Sequence, residues 1–139
     1  MSAHVQTELD QGVLVVRLNR ADKKNALTTE MYTEMADAIR RAESDREVAV
    51  LLFTGAGETF TAGNDLVDFL QNPPQGEGAP VYRFLSGLEK TDLPIVAAVD
   101  GFAVGIGTTM LLHCEQVFAT ARARFSMPFI NLAIAPEAA

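Results

Sequence analysis

Apolar positions along this chain fall into short runs with few polar interruptions, joined by two stretches of helical spacing. Val13 to Asn19 (VLVVRLN), mostly apolar on both faces, Val48 to Thr54 (VAVLLFT), with almost no polar face and expected buried on both sides, and Ile95 to Val99 (IVAAV), short and β-branched enough for a buried strand, each predict a strand. Between the first two, Met31, Met35, Ala38, Ile39 and Ala42 recur on one helical face. Thr28 stands as the N-cap, Glu30 lies in the first turn where a carboxylate suits the dipole, and the helix is expected to end near Ser44-Asp45. Val81, Phe84, Leu85 and Leu88 mark a second amphipathic helix. Gln116 to Thr120 and Arg124 to Ser126 read as short strands, and Pro136-Glu137 reads as a helix start. Strand, helix and strand in that order predict an α/β domain with a crossover connection.

Glycines punctuate this pattern at two places that carry chemistry. After Ile95 to Val99, Asp100-Gly101 breaks the strand, and Gly105-Ile106-Gly107 precedes Thr108 to Cys114, which has no glycine or proline. That reads as strand, tight turn and buried helix, with the first amides of the helix unpaired and facing outward as a place for negative charge. Gly63 before Asn64-Asp65 is a second such turn, opening a short helix from Leu66 to Leu70. The competing reading is a pair of structural turns whose glycines serve backbone geometry alone. A dinucleotide fingerprint would need glycine at Met110, and no Gly-Lys-Ser/Thr of a P-loop occurs. Gln71 to Pro80 (QNPPQGEGAP) reads as a mobile loop within one domain.

Composition narrows the partners. The 139 residues suffice for one domain with a real core, and a net charge of -7 argues against a nucleic-acid partner. No apolar run is long enough to span a membrane, and the first residues, MSAHVQTELDQG, hold no apolar signal region. With one cysteine the chain is expected in a reducing, cytoplasmic compartment. His113 and Cys114 are expected in the core, and His4 in a frayed terminus. No Cys/His cluster has metal-ligand spacing.

Three stretches then carry a resemblance. FTAGNDL (Phe60 to Leu66), AAVDGFAVGIGTTMLLHCEQVFA (Ala97 to Ala119) and NRADKKNALTTEM (Asn19 to Met31) resemble the signature stretches of the enoyl-CoA hydratase/isomerase, or crotonase, family. The resemblance runs the length of the chain. It implies an α/β spiral of repeated β-β-α units, with residues 1–139 forming a crotonase-like core domain. Family members are about twice as long, so the resemblance makes this the N-terminal part of one, ending before the C-terminal helices. It also implies a homo-oligomer, a trimer or dimer of trimers, for the full-length form.

The resemblance assigns roles by position. The family binds acyl-CoA thioesters and holds the thioester oxygen with two backbone amides, which correspond here to Asn64 and Ile106, flanked by Gly63, Gly105 and Gly107. Glycine is usual at the Ile106 position, so isoleucine is expected to add bulk beside the thioester. The backbone at Lys24 and Ala26 is expected near the adenine and phosphates of coenzyme A, and Ala62, Asp65 and Leu66 beside the pantetheine arm. The Lys23-Lys24 pair reads equally as a solvated surface pair. Coenzyme A arrives as part of the substrate, and no separate cofactor is expected. The two glutamates of family hydratases correspond to Thr109 and Phe129, so neither carboxylate is present. Glu137, in LAIAPEAA, resembles the single catalytic glutamate of the Δ3,Δ2-enoyl-CoA isomerases; its other reading is a first-turn helix carboxylate. The favoured activity is therefore an enoyl-CoA isomerase. The alternatives are a hydratase or another reaction of the family, and a non-catalytic acyl-CoA binder or assembly subunit.

Overall fold

The computed structural model describes residues 3–128. Its first sheet is built from alternation. In β2 (Val13–Leu18), Leu14, Val16 and Leu18 enter the core while Val13, Val15 and Arg17 are half-buried. β3 (Val50–Gly55) alternates likewise, with Leu51 and Phe53 inside. The expectation that Val48 to Thr54 is buried on both sides is thus corrected: one face of β3 meets the core and the other is only partly covered. A strand that the apolar runs did not reveal, β1 (Val5–Asp10), pairs antiparallel with β2 from Val5↔Leu18 to Asp10↔Val13. Only Val5 of β1 is fully buried, so its apolar signal is faint. The main-chain carbonyl of His4 accepts from the Asn19 amide at 2.7 Å, so this end is tied down and not frayed.

β3 lies parallel to β2, and β5 (Ile95–Val99) and β7 (Gln116–Ala119) continue the sheet in the order β1-β2-β3-β5-β7. The crossover from β2 to β3 is α1 (Thr29–Ser44), capped by the Thr28 hydroxyl, which accepts from the Met31 amide at 3.2 Å. Its buried stripe includes Met31, Met35, Ile39 and Ala42. Tyr32 of α1 and Phe53 of β3 both pack on Phe84, with ring centroids 5.7 and 6.1 Å away. Phe84 belongs to α3 (Pro80–Lys90), which lies against α1.

A second sheet, β4 (Thr59–Thr61), β6 (Phe102–Val104) and β8 (Arg124–Ser126), is parallel throughout, in that order. Each of its strands follows directly on one from the first sheet: β3 leads to β4, β5 to β6 and β7 to β8. Helices follow the first two pairs, α2 (Leu66–Gln71) with α3, and α4 (Ile106–Thr109). This is the spiral of β-β-α units. The chain changes sheet at sharp corners. At the β5–β6 corner Gly101 has φ of 77°, and a Cβ there would lie 1.8 Å from the carbonyl oxygen of Glu58. Arg122, at the β7–β8 corner, donates to Asp100 at 2.6 and 2.5 Å and lies 3.1 Å from Glu58. One guanidinium therefore joins the three corners.

The helix expected over 108–114 is shorter and tighter. α4 makes a single turn and continues as a 3-10 turn over Met110–His113. Met110 is buried, Leu112 is exposed, and His113 and Cys114 are half-buried instead of in the core. Burial still pushes the Cys114 thiol up to about 11, so it is protonated at neutral pH and no nucleophile.

Candidate active site

The first glycine turn is set by a short strip of backbone. The Ala62 amide donates to the Lys24 carbonyl at 2.9 Å, the Leu27 amide to the Gly63 carbonyl at 2.7 Å, and the Asp65 amide to the Leu27 carbonyl at 2.9 Å. Successive amides of an extended segment point to opposite sides. With Gly63 and Asp65 both engaged by Leu27, the Asn64 amide faces the other way, and no hydrogen bond among the described residues uses it. Gly63 holds φ of 89°, and a Cβ on it would come within 2.9 Å of the Val104 carbonyl oxygen.

That contact leads to the second turn. Gly105 has φ of 60° and ψ of −120°, and its amide donates to the Ser126 carbonyl at 2.8 Å. Its carbonyl accepts from the Thr108 and Thr109 amides at 2.9 and 3.0 Å. The Ile106 amide, at the head of α4, has no acceptor among the described residues. A Cβ on Gly107 would lie 2.6 Å from the Thr61 Cγ2 atom. The two turns therefore approach closely at the same end of the parallel pair β4 and β6, Gly63 against Val104 and Gly107 against Thr61. Because α4 is one turn long, the two unused amides supply the local positive field and a long helix dipole does not contribute. The Ile106 side chain is buried in the core, so its bulk is taken inward, against the expectation of crowding at the edge.

Behind the first turn lies a polar brace that residue spacing did not reveal. Asn25 is fully buried with φ of 55°, a backbone that asparagine tolerates better than most residues. Its side-chain amide donates to the carbonyls of Ala56 and Thr59 at 2.9 and 2.7 Å, and its side-chain oxygen accepts from the Arg20 amide at 2.8 Å. The Thr61 hydroxyl donates to the Asn25 carbonyl at 2.7 Å and accepts from the Gly63 amide at 3.1 Å. Arg20 donates to the Ala26 carbonyl at 3.0 Å and to Asp65 at 2.7 Å. The Asp68 amide and then Arg20 hold the Asp65 carboxyl below its ordinary value. The one available signal was an αL-tolerant asparagine closing the polar loop Arg20 to Asn25 (RADKKN). In that loop the Lys24 side chain is exposed, and the Lys24 and Ala26 carbonyls are both engaged within the protein.

Beside Asn64 opens a cleft of about 390 Å³. Leu27, Tyr32 and Asn64 form its floor, and Phe69 of α2 with Pro73 and Pro74 of the loop after it forms its rim. Its size suits a small-molecule group. Leu66 is exposed on α2 and does not line the cleft. On α4, Thr109 is fully buried and its hydroxyl has no hydrogen-bond partner among the described residues. No group of metal-ligating side chains occurs among the described residues, and no helix there is long and apolar enough to cross a membrane. Glu137 and Phe129 lie outside the described residues.

A family model described as enoyl-CoA hydratase/isomerase matches residues 8–139. "Enoyl-CoA delta isomerase 2" of Rattus norvegicus is 38% identical over 133 residues, which covers 91% of this chain and 34% of that protein. "Short-chain-enoyl-CoA hydratase" of Clostridium acetobutylicum is 38% identical over 140 residues, covering 96% of this chain and 52% of that one. Among solved structures, OdaA of Pseudomonas aeruginosa superposes with a TM-score of 0.93 at 51% identity, over 98% of this chain and 55% of that chain. The chain thus spans about half the length of these relatives, or less.

Proposed function

This chain belongs to the enoyl-CoA hydratase/isomerase family and has the crotonase fold, and from that premise we propose that the amides of Asn64 and Ile106 form an oxyanion hole for an acyl-CoA thioester. The observation that supports this reading is the close approach of the two glycine turns, each of which leaves one amide without an acceptor among the described residues, with the cleft beside Asn64. Amides fixed where negative charge develops are worth about 3–4 kcal/mol each to a transition state.

The reaction we propose for the whole protein is the shift of a double bond in an enoyl-CoA. A base takes a proton from C2 of a 3-enoyl thioester, and the electron pair delocalises onto the thioester oxygen, where the two amides hold it. The same acid then returns the proton at C4, leaving the double bond between C2 and C3. One carboxylate suffices, and Glu137 is the residue we assign to it. Hydration needs groups that hold and deprotonate a water. Thr109 offers only a hydroxyl where family hydratases carry a carboxylate, which supports the isomerase reading. The identity to a protein named as a hydratase keeps hydration as the second reading. We expect the whole protein to be cytoplasmic and a trimer or dimer of trimers, which light scattering of the full-length form tests.

Incubation with a 3-enoyl-CoA separates the readings. An isomerase returns a product of unchanged mass with the double bond moved. A hydratase adds the mass of one water, and a binder or assembly subunit leaves the substrate as it was. Glu137→Gln in the full-length form is expected to lower turnover by a factor on the order of 10²–10⁴ while thioester binding persists. Near-normal turnover removes Glu137 from the mechanism.

A further inference from the structure

The polar groups in the wall of the cleft are not equivalent. Asp68 accepts from the Thr29 amide and the Thr29 hydroxyl, both at 2.7 Å, and from the Asn72 side-chain amide at 3.2 Å. These three residues satisfy one another and fasten α2 to the start of α1. Deeper in, the Tyr32 hydroxyl donates to the side-chain oxygen of Asn64. That bond fixes which way the Asn64 carboxamide is turned, because its oxygen faces Tyr32. Its nitrogen, with two N–H donors, then has no acceptor among the described residues. Tyr32 is almost fully buried, so the carboxamide is held from a rigid position on α1. The wall around it is mixed: Leu27, Phe69, Ala79 and Val81 give it apolar surface, and Thr29, Gln71 and Gln75 add polar groups.

We propose that the Asn64 carboxamide, oriented by Tyr32, is a specificity determinant that selects acyl groups bearing a neutral oxygen, a ketone or hydroxyl, on the acyl chain. The proposal rests on the reading of the cleft as the acyl-thioester site and adds to it the class of acyl group. An amide N–H donor left without an acceptor at the cleft calls for one, and a plain hydrocarbon tail supplies none. Filling the cleft with such a tail strips water from the donor without replacing its hydrogen bond, whereas an oxygen on the tail restores that bond. The oxygen is neutral because the cleft holds one carboxylate, Asp68, and no lysine or arginine among its lining residues, so a second carboxylate on the acyl group would meet repulsion with no counter-charge. Asn64 would then act twice, through its backbone amide on the thioester oxygen and through its side chain on the tail. Tyr32 is a positioning residue in this scheme, acting through Asn64.

Binding of unreactive ligands tests this directly. Hexanoyl-CoA and its oxo derivatives, with the ketone at successive positions along the chain, have no double bond to shift. Calorimetric titration of the protein should show at least one oxo derivative binding about three- to tenfold tighter than hexanoyl-CoA, the worth of one net hydrogen bond. In Asn64→Ala that ratio should fall to about one, and Tyr32→Phe should lower it by freeing the carboxamide to turn. Equal affinities across the series in the unaltered protein overturn the proposal without needing any variant. So does a preference that survives in Asn64→Ala. Binding of hexanoyl-CoA with no oxo preference leaves the thioester reading standing and removes this one, whereas failure to bind any of the thioesters removes both.

Discussion

The two sheets of this molecule are held by different physics. The five-stranded sheet with α1 and α3 is a side-chain structure: Leu14, Val16, Leu51, Phe53, Met35 and Phe84 fill a common interior, and burial of their apolar surface holds it. The three-stranded sheet with its two glycine turns is a backbone structure. Its strands are three residues long, and its corners depend on approaches that exclude a Cβ, at Gly63, Gly101 and Gly107. Its interior is braced by hydrogen bonds from Asn25 and Thr61. The first region sets stability, and the second sets where the Asn64 and Ile106 amides lie. A substitution in the first should therefore cost stability and spare the edge, while one in the second should cost both.

The strongest break of this contrast is Gly101→Ala. A methyl group 1.8 Å from the Glu58 carbonyl oxygen cannot be accommodated without opening the corner, and φ of 77° disfavours alanine besides. The loss should exceed about 4 kcal/mol, enough to leave little folded protein in a denaturant titration. Leu51→Ala, in the other sheet, should cost about 2–5 kcal/mol by leaving a cavity. Its turnover per folded molecule should match that of the parent. A fall in turnover as deep as the fall in stability would show that the sheets are not separable in this way.

Asn25→Ala sharpens the contrast from the other side. It strands the Ala56 and Thr59 carbonyls, and the expected cost is about 1–3 kcal/mol, less than that of Leu51→Ala. Yet it should lower kcat, because the strip from Lys24 to Leu27 aligns the Asn64 amide, and a shift of about 1 Å at such a donor costs on the order of a hundredfold. Steady-state kinetics on an enoyl-CoA beside denaturant titration gives both numbers. An Asn25→Ala protein of full kcat would remove the brace from the account of the site.

The same division explains what the sequence made legible. α1 was readable to its cap, because Thr28 and the stripe from Met31 to Ala42 are side-chain signals of helical period. β2, β3 and β5 were readable as apolar runs. Both glycine turns were located by composition, and β7 and β8 were read as short strands, yet β4 and β6 were not, since Thr59–Thr61 and Phe102–Val104 are short and run directly into the turn residues. β1 escaped for a related reason: it needs only Val5 in the core and shows water a polar face. The brace at Asn25 was invisible because its partners are carbonyls, which belong to every residue alike. The tyrosine that holds Asn64 stands thirty-two positions away in sequence, on a helix face that reads as core.

Thr109→Val reverses the sign of the effect. The Thr109 hydroxyl is fully buried, and none of the described residues replaces the hydration that it has lost. Valine has nearly the same shape and keeps the methyl packing. The variant should be more stable by about 1 kcal/mol, read as a higher denaturant midpoint at unchanged slope. A drop in midpoint would mean that the hydroxyl has a partner, a buried water or a bound ligand, and would move Thr109 from the packing of α4 into the site.

The smallest expected effect lies at the corners where the two sheets meet. Asp100 follows β5, Glu58 lies between β3 and β4, and Arg122 lies between β7 and β8, so this ion cluster spans all three corners. Hydrogen bonds from Arg122 first, and then from Thr120, hold the Asp100 carboxyl down to about 2, against 3.8 for the free group. A carboxyl lowered in the folded state binds protons less readily there than in the unfolded chain. Its contribution is therefore fully present above about pH 4 and is lost as pH falls through about 2. The cluster is largely open to water, so the contribution is a modest one. Unfolding midpoints of the parent and of Asp100→Asn should differ most near neutral pH and converge as pH falls from about 4 toward 2. Added salt should shrink the neutral-pH difference, since exposed pairs are screened. Curves that stay parallel down to the lowest pH would show that the corners are held by Gly101 and the backbone alone, and that the charges only decorate them.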